Sequence, residues 1–334
     1  MPWVVRDAVD DLNRAVGRRW QGLDRLLPGR ADLPEGCAAP LVANGANGRP
    51  AGLGVCRHQD VPADTLNQTW GAAVRFSLIL RLREPDTSAA LDDLLGQWRD
   101  HLAGLPEASA ADTAAIVNWP ARDVSGVNAL LRHGMQALTV IAVRPAGPAV
   151  TQDDNHPLGG NHQLGGNHQP GGLVIREAAP PDLDAVTELE MGVIRYDAQF
   201  GAAIIRPAAE ALVRAETQAA LTARPAWAWL AERDGRPVGL IHVQPPEHSG
   251  WIAGMARPGV TAYLQTMFVR PGERGGGVGA ALARHAHDML DARGVQTTLL
   301  HYAQMNPLSA PFWSRMGYRP LWTGWEVRPA ASLR

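Results

Sequence analysis

Two halves of this chain echo each other across a hexapeptide written three times, NHPLGG-NHQLGG-NHQPGG, over residues 155–172. The stretch GRPAGL at residues 48–53 returns as GRPVGL at 235–240, an offset of 187. Further along the offset is 183: AAIVNWP from Ala114 lies over TTLLHYA from Thr297, and LRHG from Leu131 lies over SRMG from Ser314. VRPA closes both copies, at Val143 and again at Val327. A period of this length indicates duplicated domains rather than a solenoid. The hexapeptide itself is dense in Gly, Pro and Asn, cannot form a packed core and reads as a flexible tether. Its histidines, His156, His162 and His168, come one per six residues with no carboxylate in the repeat, so no metal site is expected. The division expected is a first domain over 1–150, a linker over 151–172 and a second domain over 173–334.

Composition then removes whole classes of function. With 334 residues, 46% of them hydrophobic, the chain holds enough apolar material for two ordinary domains. A net charge of −2 makes no electrostatic case for nucleic acid. No run of 18 apolar residues is present and the N-terminal segment is charged from Arg6 onward, so neither a membrane partner nor a signal peptide is expected. Cys37 and Cys56 make no disulfide framework or metal spacing, and a cytoplasmic setting is the expectation. All 31 basic residues are arginine. Without lysine, neither a Walker-type phosphate loop nor Schiff-base chemistry is possible.

Punctuation predicts the elements of the second half. A strand over 173–178 precedes a helix opened by Pro181 with Asp182 and Asp184 in its first turn, and a second helix runs over 207–221. Strands over 226–233 and 237–244 flank Asp234-Gly235-Arg236, a hairpin signal. There follow a strand over 262–269, a helix over 278–293, a strand over 296–303, a short helix over 308–316 and a last strand over 321–327. Strands outnumber helices and hairpins mix with βαβ units, which makes the fold class α+β.

Between the strand ending at Val269 and the helix opening at Val278 lies VRPGERGGGVG, five glycines in eleven positions. Such a loop is either a plain turn or an anion cradle. A helix N-terminus carries roughly +0.5 charge on unpaired N–H groups, and glycine lets a phosphate approach the backbone. The dinucleotide fingerprint fits poorly, because no acidic residue ends a second strand about 20 residues on. The first half has no such loop; its matching stretch reads RFSLILRLREPDTSAALDDLLGQW.

Here the sequence resembles the GCN5-related N-acetyltransferases, whose coenzyme A loop reads V-x-P-x-x-R-G-x-G-[IV]-G. Val269, Pro271, Arg274, Gly275, Gly277, Val278 and Gly279 stand at every specified place. A second signature of the family, N-x-x-[AS]-x-x-L-Y-x-x-x-G-[FY], meets Asn306, Ser309, Phe312, Trp313, Gly317 and Tyr318. In the first half Asp123, Gly126 and Leu130 stand where Asn306, Ser309 and Trp313 do, so that half resembles a decayed member. The resemblance implies two tandem domains, each a mixed, mostly antiparallel sheet flanked by helices, in a pseudo-dimeric monomer. It implies acetyl-CoA as co-substrate and no metal. The backbone of Met267, Phe268 and Val269 would pair with the pantetheine arm as an added strand. The loop from Arg274 through Gly275, Gly276, Gly277, Val278 and Gly279 to Ala280 would take the diphosphate. Asn306, Ser309 and Phe312 would line the pantetheine edge.

Acetyl transfer to an amine needs a neutral nucleophile, a stabilised oxyanion and a released thiolate. The family's usual acid is a tyrosine seven residues after the asparagine; here that place holds Trp313, whose indole N–H is no usable proton donor. A frequent base position four residues before the valine holds Gln265, able only to hold water or acceptor. In one branch of the family the base lies five residues before the asparagine, the place of His301, whose ordinary pKa of about 6.5 suits the task. A strand histidine can equally be a packed core residue. Tyr302 and Tyr263 are further acid candidates. For the acceptor, Glu190, Tyr196 and Asp197 on the first helix could hold a cationic amine or could be solvated surface. The expected activity is acetyl transfer to an amine of a small molecule or peptide; the other reading is a coenzyme A-binding regulatory or scaffold protein without turnover.

Overall fold

The computed structural model describes residues 3–29, 40–45, 49–84, 87–147, 172–223 and 225–334. The tether expected over 151–172 lies outside them except for Gly172, and Cys37 does too. The first half contributes strands β1 (Leu41–Asn44), β2 (Pro50–Asp60), β3 (Val74–Leu82), β4 (Thr113–Pro120) and β5 (Gln136–Pro145). The second contributes β6 (Leu173–Glu177), β7 (Ala228–Arg233), β8 (Arg236–Gln244), β9 (Thr261–Val269), β10 (Thr297–Ala303) and β11 (Arg319–Val327). The helices are α1 (Trp3–Leu23), α2 (Thr87–Ala103), α3 (Val127–Arg132), α4 (Leu183–Ala198), α5 (Ala209–Thr222), α6 (Gly250–Ala253), α7 (Val278–Asp291) and α8 (Ser309–Arg315). The β7–β8 hairpin turns at Asp234 and Gly235, both at positive φ, as a two-residue turn demands.

All eleven strands join one sheet in the order β1-β2-β3-β4-β11-β5-β10-β9-β8-β7-β6. Only β3–β4 and β9–β10 pair in parallel; every other neighbour is antiparallel. This is an α+β fold with a mostly antiparallel sheet. Its centre has a feature the punctuation did not foretell. The last strand of each half is seated in the other: β11 pairs with β4 from Trp322↔Pro120 to Val327↔Ala115, and β5 pairs with β10 from Thr297↔Pro145 to Ala303↔Thr139. The two exchanged strands also pair with each other.

Helices cover one sheet face at both ends. Leu91, Leu94, Leu95 and Trp98 of α2 pack on Leu78, Leu80 and Val117, while Ala281, Leu282, Ala286 and Leu290 of α7 pack on Ile241, Leu264 and Leu300. On the opposite face Leu12, Val16 and Trp20 of α1 cover Ile141, Val143, Leu299 and Leu321. At the far end of that face Val186 and Leu189 of α4 and Leu221 of α5 pack on Ala228, Leu230 and Leu240. Between these two apolar covers the face carries polar side chains and forms the floor of a chamber.

Candidate active site

The parallel pairing of β9 and β10 runs from Thr261↔Thr297 to Leu264↔Leu300 and stops there, although β9 continues to Val269. On its other side β9 pairs with β8 through His242↔Thr266 and then Val243↔Leu264, which leaves Gln265 as an extra, bulged residue. Bulges bend a strand and re-aim side chains, and here the bulge coincides with the point where β9 and β10 part. The gap opens into a cavity of about 1220 Å³ that passes through the sheet and along its polar face.

At one end of the cavity lies the glycine loop. Gly275 and Gly277 sit at φ +83°, and a Cβ on either would meet nothing within 4 Å, so this backbone faces open space. Gly277 precedes α7 with no side-chain cap, leaving the first N–H groups of the helix pointing outward. Every residue expected at the coenzyme A end lines the cavity except Gly276. Arg274 does so from an inward position. Its guanidinium lies 5.0 Å from the Tyr196 ring centroid and 5.4 Å from that of Phe268, and its Nε donates to the Val269 carbonyl at 3.0 Å. The strand edge expected to face the pantetheine arm is thus engaged by this side chain. Exposed Arg284 and Arg315, absent from the sequence reading, add positive charge beside the loop. Nothing in their spacing marked them.

In the middle of the cavity stand His301, Tyr263, Gln265 and Asp197. The imidazole of His301 is exposed to the chamber, and desolvation within that recess pulls its pKa down to about 4, below the near-neutral value expected for a strand histidine. His301 Nδ1 lies 3.0 Å from Tyr263 Oη. Burial raises the pKa of that phenol, keeping it protonated. If Nδ1–H donates to Oη, Nε2 is the basic atom of the ring. Trp251 lies parallel to the imidazole, 6.3 Å between centroids. Its Nε1 donates to Gln244 Oε1 at 2.8 Å, and Gln244 Nε2 donates to Gln265 Oε1 at 2.9 Å, which fixes the bulged glutamine. Asp197, at the end of α4, accepts a long 3.4 Å bond from Asn306 Nδ2, and desolvation pushes its pKa up to about 6.

Two expected residues are placed otherwise. Tyr302 follows His301 on β10 and so faces the opposite side, packed with Trp313 and Tyr318 where the cavity crosses the sheet. Glu190 is buried; Thr266 Oγ1 donates to its Oε2 at 2.9 Å and His242 Nδ1 lies 3.0 Å from its Oε1. It lines an adjoining recess of about 610 Å³, not the chamber, and both its oxygens are already engaged. A pattern of charge along α4 could not separate Glu190 from Asp197, because only tertiary packing does.

The same parting of parallel strands exists in the first half, where β3–β4 pairing stops at Ser77↔Ile116. There it is filled. Arg19 of α1 donates to the Asp123 carboxylate with its guanidinium 5.7 Å from the Trp119 ring centroid, and Trp119 Nε1 donates to the Asp123 carbonyl at 2.7 Å. Trp119 and Asp123 stand where Tyr302 and Asn306 stand in the second half.

Among the described residues no group of three or more His, Cys, Asp or Glu side chains could hold a metal, and no helix is long and apolar enough to cross a membrane.

A glycine-rich loop before a helix, parting parallel strands and a bulge beside the gap are gathered around one cavity. Residues 199–318 match the family described as Acetyltransferase (GNAT) family. Among curated proteins it is similar to the Mycothiol acetyltransferase of Streptomyces avermitilis, 32% identical over 94 residues, 28% of this chain. The match spans 27% of that protein, about a quarter of its length. Among solved structures it is similar to a GCN5-related N-acetyltransferase from Sphaerobacter thermophilus, with a TM-score of 0.54 at 15% identity, covering 96% of this chain and 92% of that one. That likeness concerns the fold, and it extends through both halves.

Proposed function

We propose that this protein moves an acetyl group from acetyl-CoA directly to an amine of a small molecule or peptide, in a single active site housed by residues 173–334. One observation carries the reading: the glycine loop and the His301–Tyr263–Asp197 group open onto the same continuous cavity. Bound there, acetyl-CoA supplies the activated thioester. The loop amides hold its phosphates; Arg274 leaves the Val269 carbonyl to join them, and the edge of β9 so vacated and Asn306 line its arm. Asp197, once ionised, draws the cationic amine in, and the amine attacks the thioester carbonyl after giving one proton to solvent. His301 Nε2, its other ring nitrogen held by Tyr263, takes the second proton from the acidic nitrogen of the tetrahedral adduct and returns it to the thiolate as the C–S bond breaks. Residues 1–150 are a degenerate copy without the loop, its own gap filled by Trp119 and Arg19. The reading places the protein in the cytoplasm.

A second reading, coenzyme A binding without turnover, is favoured by Trp313, a buried indole where an acid would stand. Loss of general acid help costs about 10²–10⁴-fold, and a thiol of pKa about 8–9 is a fair leaving group without it. Thiol release from several acyl-CoAs across an amine panel separates the two. Acetylated product with matching thiol supports the enzyme; tight coenzyme A binding with no release above hydrolysis supports the binder.

A further inference from the structure

The chamber does not end at His301. Its floor continues across the exchanged strands into the first half, and the register puts one set of side chains on that face. His301 pairs with Ile141, Ala303 with Thr139, Thr139 with Gly324, and Gly324 with Asn118. Glu326 then pairs with Ile116 and Ile116 with Ser77, two residues from Arg75 on the same side of β3. Asn118 is exposed although its strand lies deep within the sheet, because it opens to the chamber.

Gly324 sits mid-strand because Thr139 closes over it: an added Cβ would come 2.4 Å from Thr139 Oγ1. One feature of this floor is costly unless something lies on it. Arg75, at the far wall, is held by two backbone carbonyls: Nε donates to Ala72 at 3.0 Å and Nη2 to Asn67 at 2.7 Å. Nearby arginines are matched with carboxylates, Arg206 with Asp112 and Arg328 with Glu326. Arg75 makes no direct ion pair among the described residues; burial lowers its pKa, while the Glu326 and Asp112 carboxylates and the Arg328 and Arg206 guanidiniums all act on it. Three guanidiniums against two carboxylates leave this cluster one positive charge in excess, and with Arg75 lining the cavity that excess favours an anion.

We propose that the acceptor is an elongated primary amine ending in an anionic group, with its amine at His301 and its anion on Arg75. This rests on the acetyl-transfer reading of the same cavity. From β10 to β3 is four strand spacings, about 19 Å, and the same register steps six residues along the strands, about 20 Å, so the backbones lie about 28 Å apart and the two side chains shorten that span. At about 3.4 Å per extended residue, a chain of roughly five to seven residues bridges the rest. The first half thus supplies the specificity wall of the second half's site.

Oligoglycines from diglycine to decaglycine, as free acids and as C-terminal amides, test this on the full-length protein. The acid should exceed the amide in kcat/KM by about tenfold or more, most at intermediate length. In Arg75→Met the acid-to-amide ratio should fall to about one while KM for acetyl-CoA holds, and Arg75→Lys should keep part of the preference. Equal rates for acids and amides, or an Arg75→Met ratio unchanged from the parent, overturn the proposal. Calorimetry of the same peptides on coenzyme A-saturated protein separates it from the parent reading. Acid-selective binding that needs Arg75, without turnover, leaves the anion site standing and removes the transferase; turnover without acid selectivity does the reverse. Neither result would remove both.

Discussion

His301 and Asp197 face the same chamber with their pKa values moved in opposite directions, and this ordering makes the pH profile informative. The histidine, pulled down to about 4, is neutral throughout the physiological range. Asp197, pushed up to about 6, gains its charge as pH rises through that value. The kcat/KM should therefore rise through an apparent pKa near 6, and Asp197→Asn should remove that limb. His301→Ala should cost about 10²-fold or more on the plateau, leaving the limb in place and coenzyme A affinity within a factor of about two. A limb that survives Asp197→Asn but vanishes with His301→Ala would return the titration to the histidine. Stability gives an independent reading. A carboxylate whose folded pKa exceeds its unfolded value binds protons more tightly when folded, so its contribution is lost as pH rises from about 4 to about 6. The gain in Tm on Asp197→Asn should consequently be larger at pH 7.5 than at pH 4. Of these residues, the family resemblance pointed to His301, five residues before Asn306, and the structure places it in the chamber. That Asp197 faces the chamber while Glu190 does not, and that Arg75 lines its far wall, were not legible, because each depends on contacts across long stretches of chain. Asn118, a polar residue inside the apolar run AAIVNWP, and Gly324, inside the last strand, were the visible traces of the chamber.

The loop and α7 work as a unit whose sequence and geometry agree. Of the four glycines over 275–279, only Gly275 and Gly277 need the left-handed conformation; Gly279 instead accommodates Phe312, whose ring would lie 3.3 Å from an added Cβ. Gly277→Glu places a carboxylate at the helix N-terminus, in space the protein leaves open, on a backbone that L residues rarely adopt. Coenzyme A affinity should fall by about 10²-fold, since the new anion takes the favourable field and repels the diphosphate. Calorimetry measures this, and an unchanged Kd would remove the loop from the binding site. Helix and strand positions in the second half were readable because their apolar periods are regular and Gly, Pro and Asp mark their ends. The bulge at Gln265 and the parting of β9 from β10 were not. An extra residue in one strand leaves no mark on composition and shows only against its partner's register.

For the whole molecule, strand exchange governs what can be separated. The duplication was visible in the sequence, but which sheet each last strand joins was not, since β5 and β11 suit either place by pattern alone. Residues 173–334 alone would lack β5 and expose the edge of β10, an invitation to association. That fragment should run in the ultracentrifuge as oligomer or aggregate. Co-expression with residues 1–147 should yield a one-to-one complex that binds coenzyme A as the intact chain does. A monomeric, fully active 173–334 fragment would contradict this. Duplication ordinarily leaves one copy free to decay and be discarded. On the reading proposed above, the interlocked strands separate those two fates: the first half has lost its own chemistry, but the polypeptide cannot shed it without dismantling the half that remains. On that reading such a resident is retained by topology instead of by activity, and its surface is free to be reshaped in the service of its neighbour.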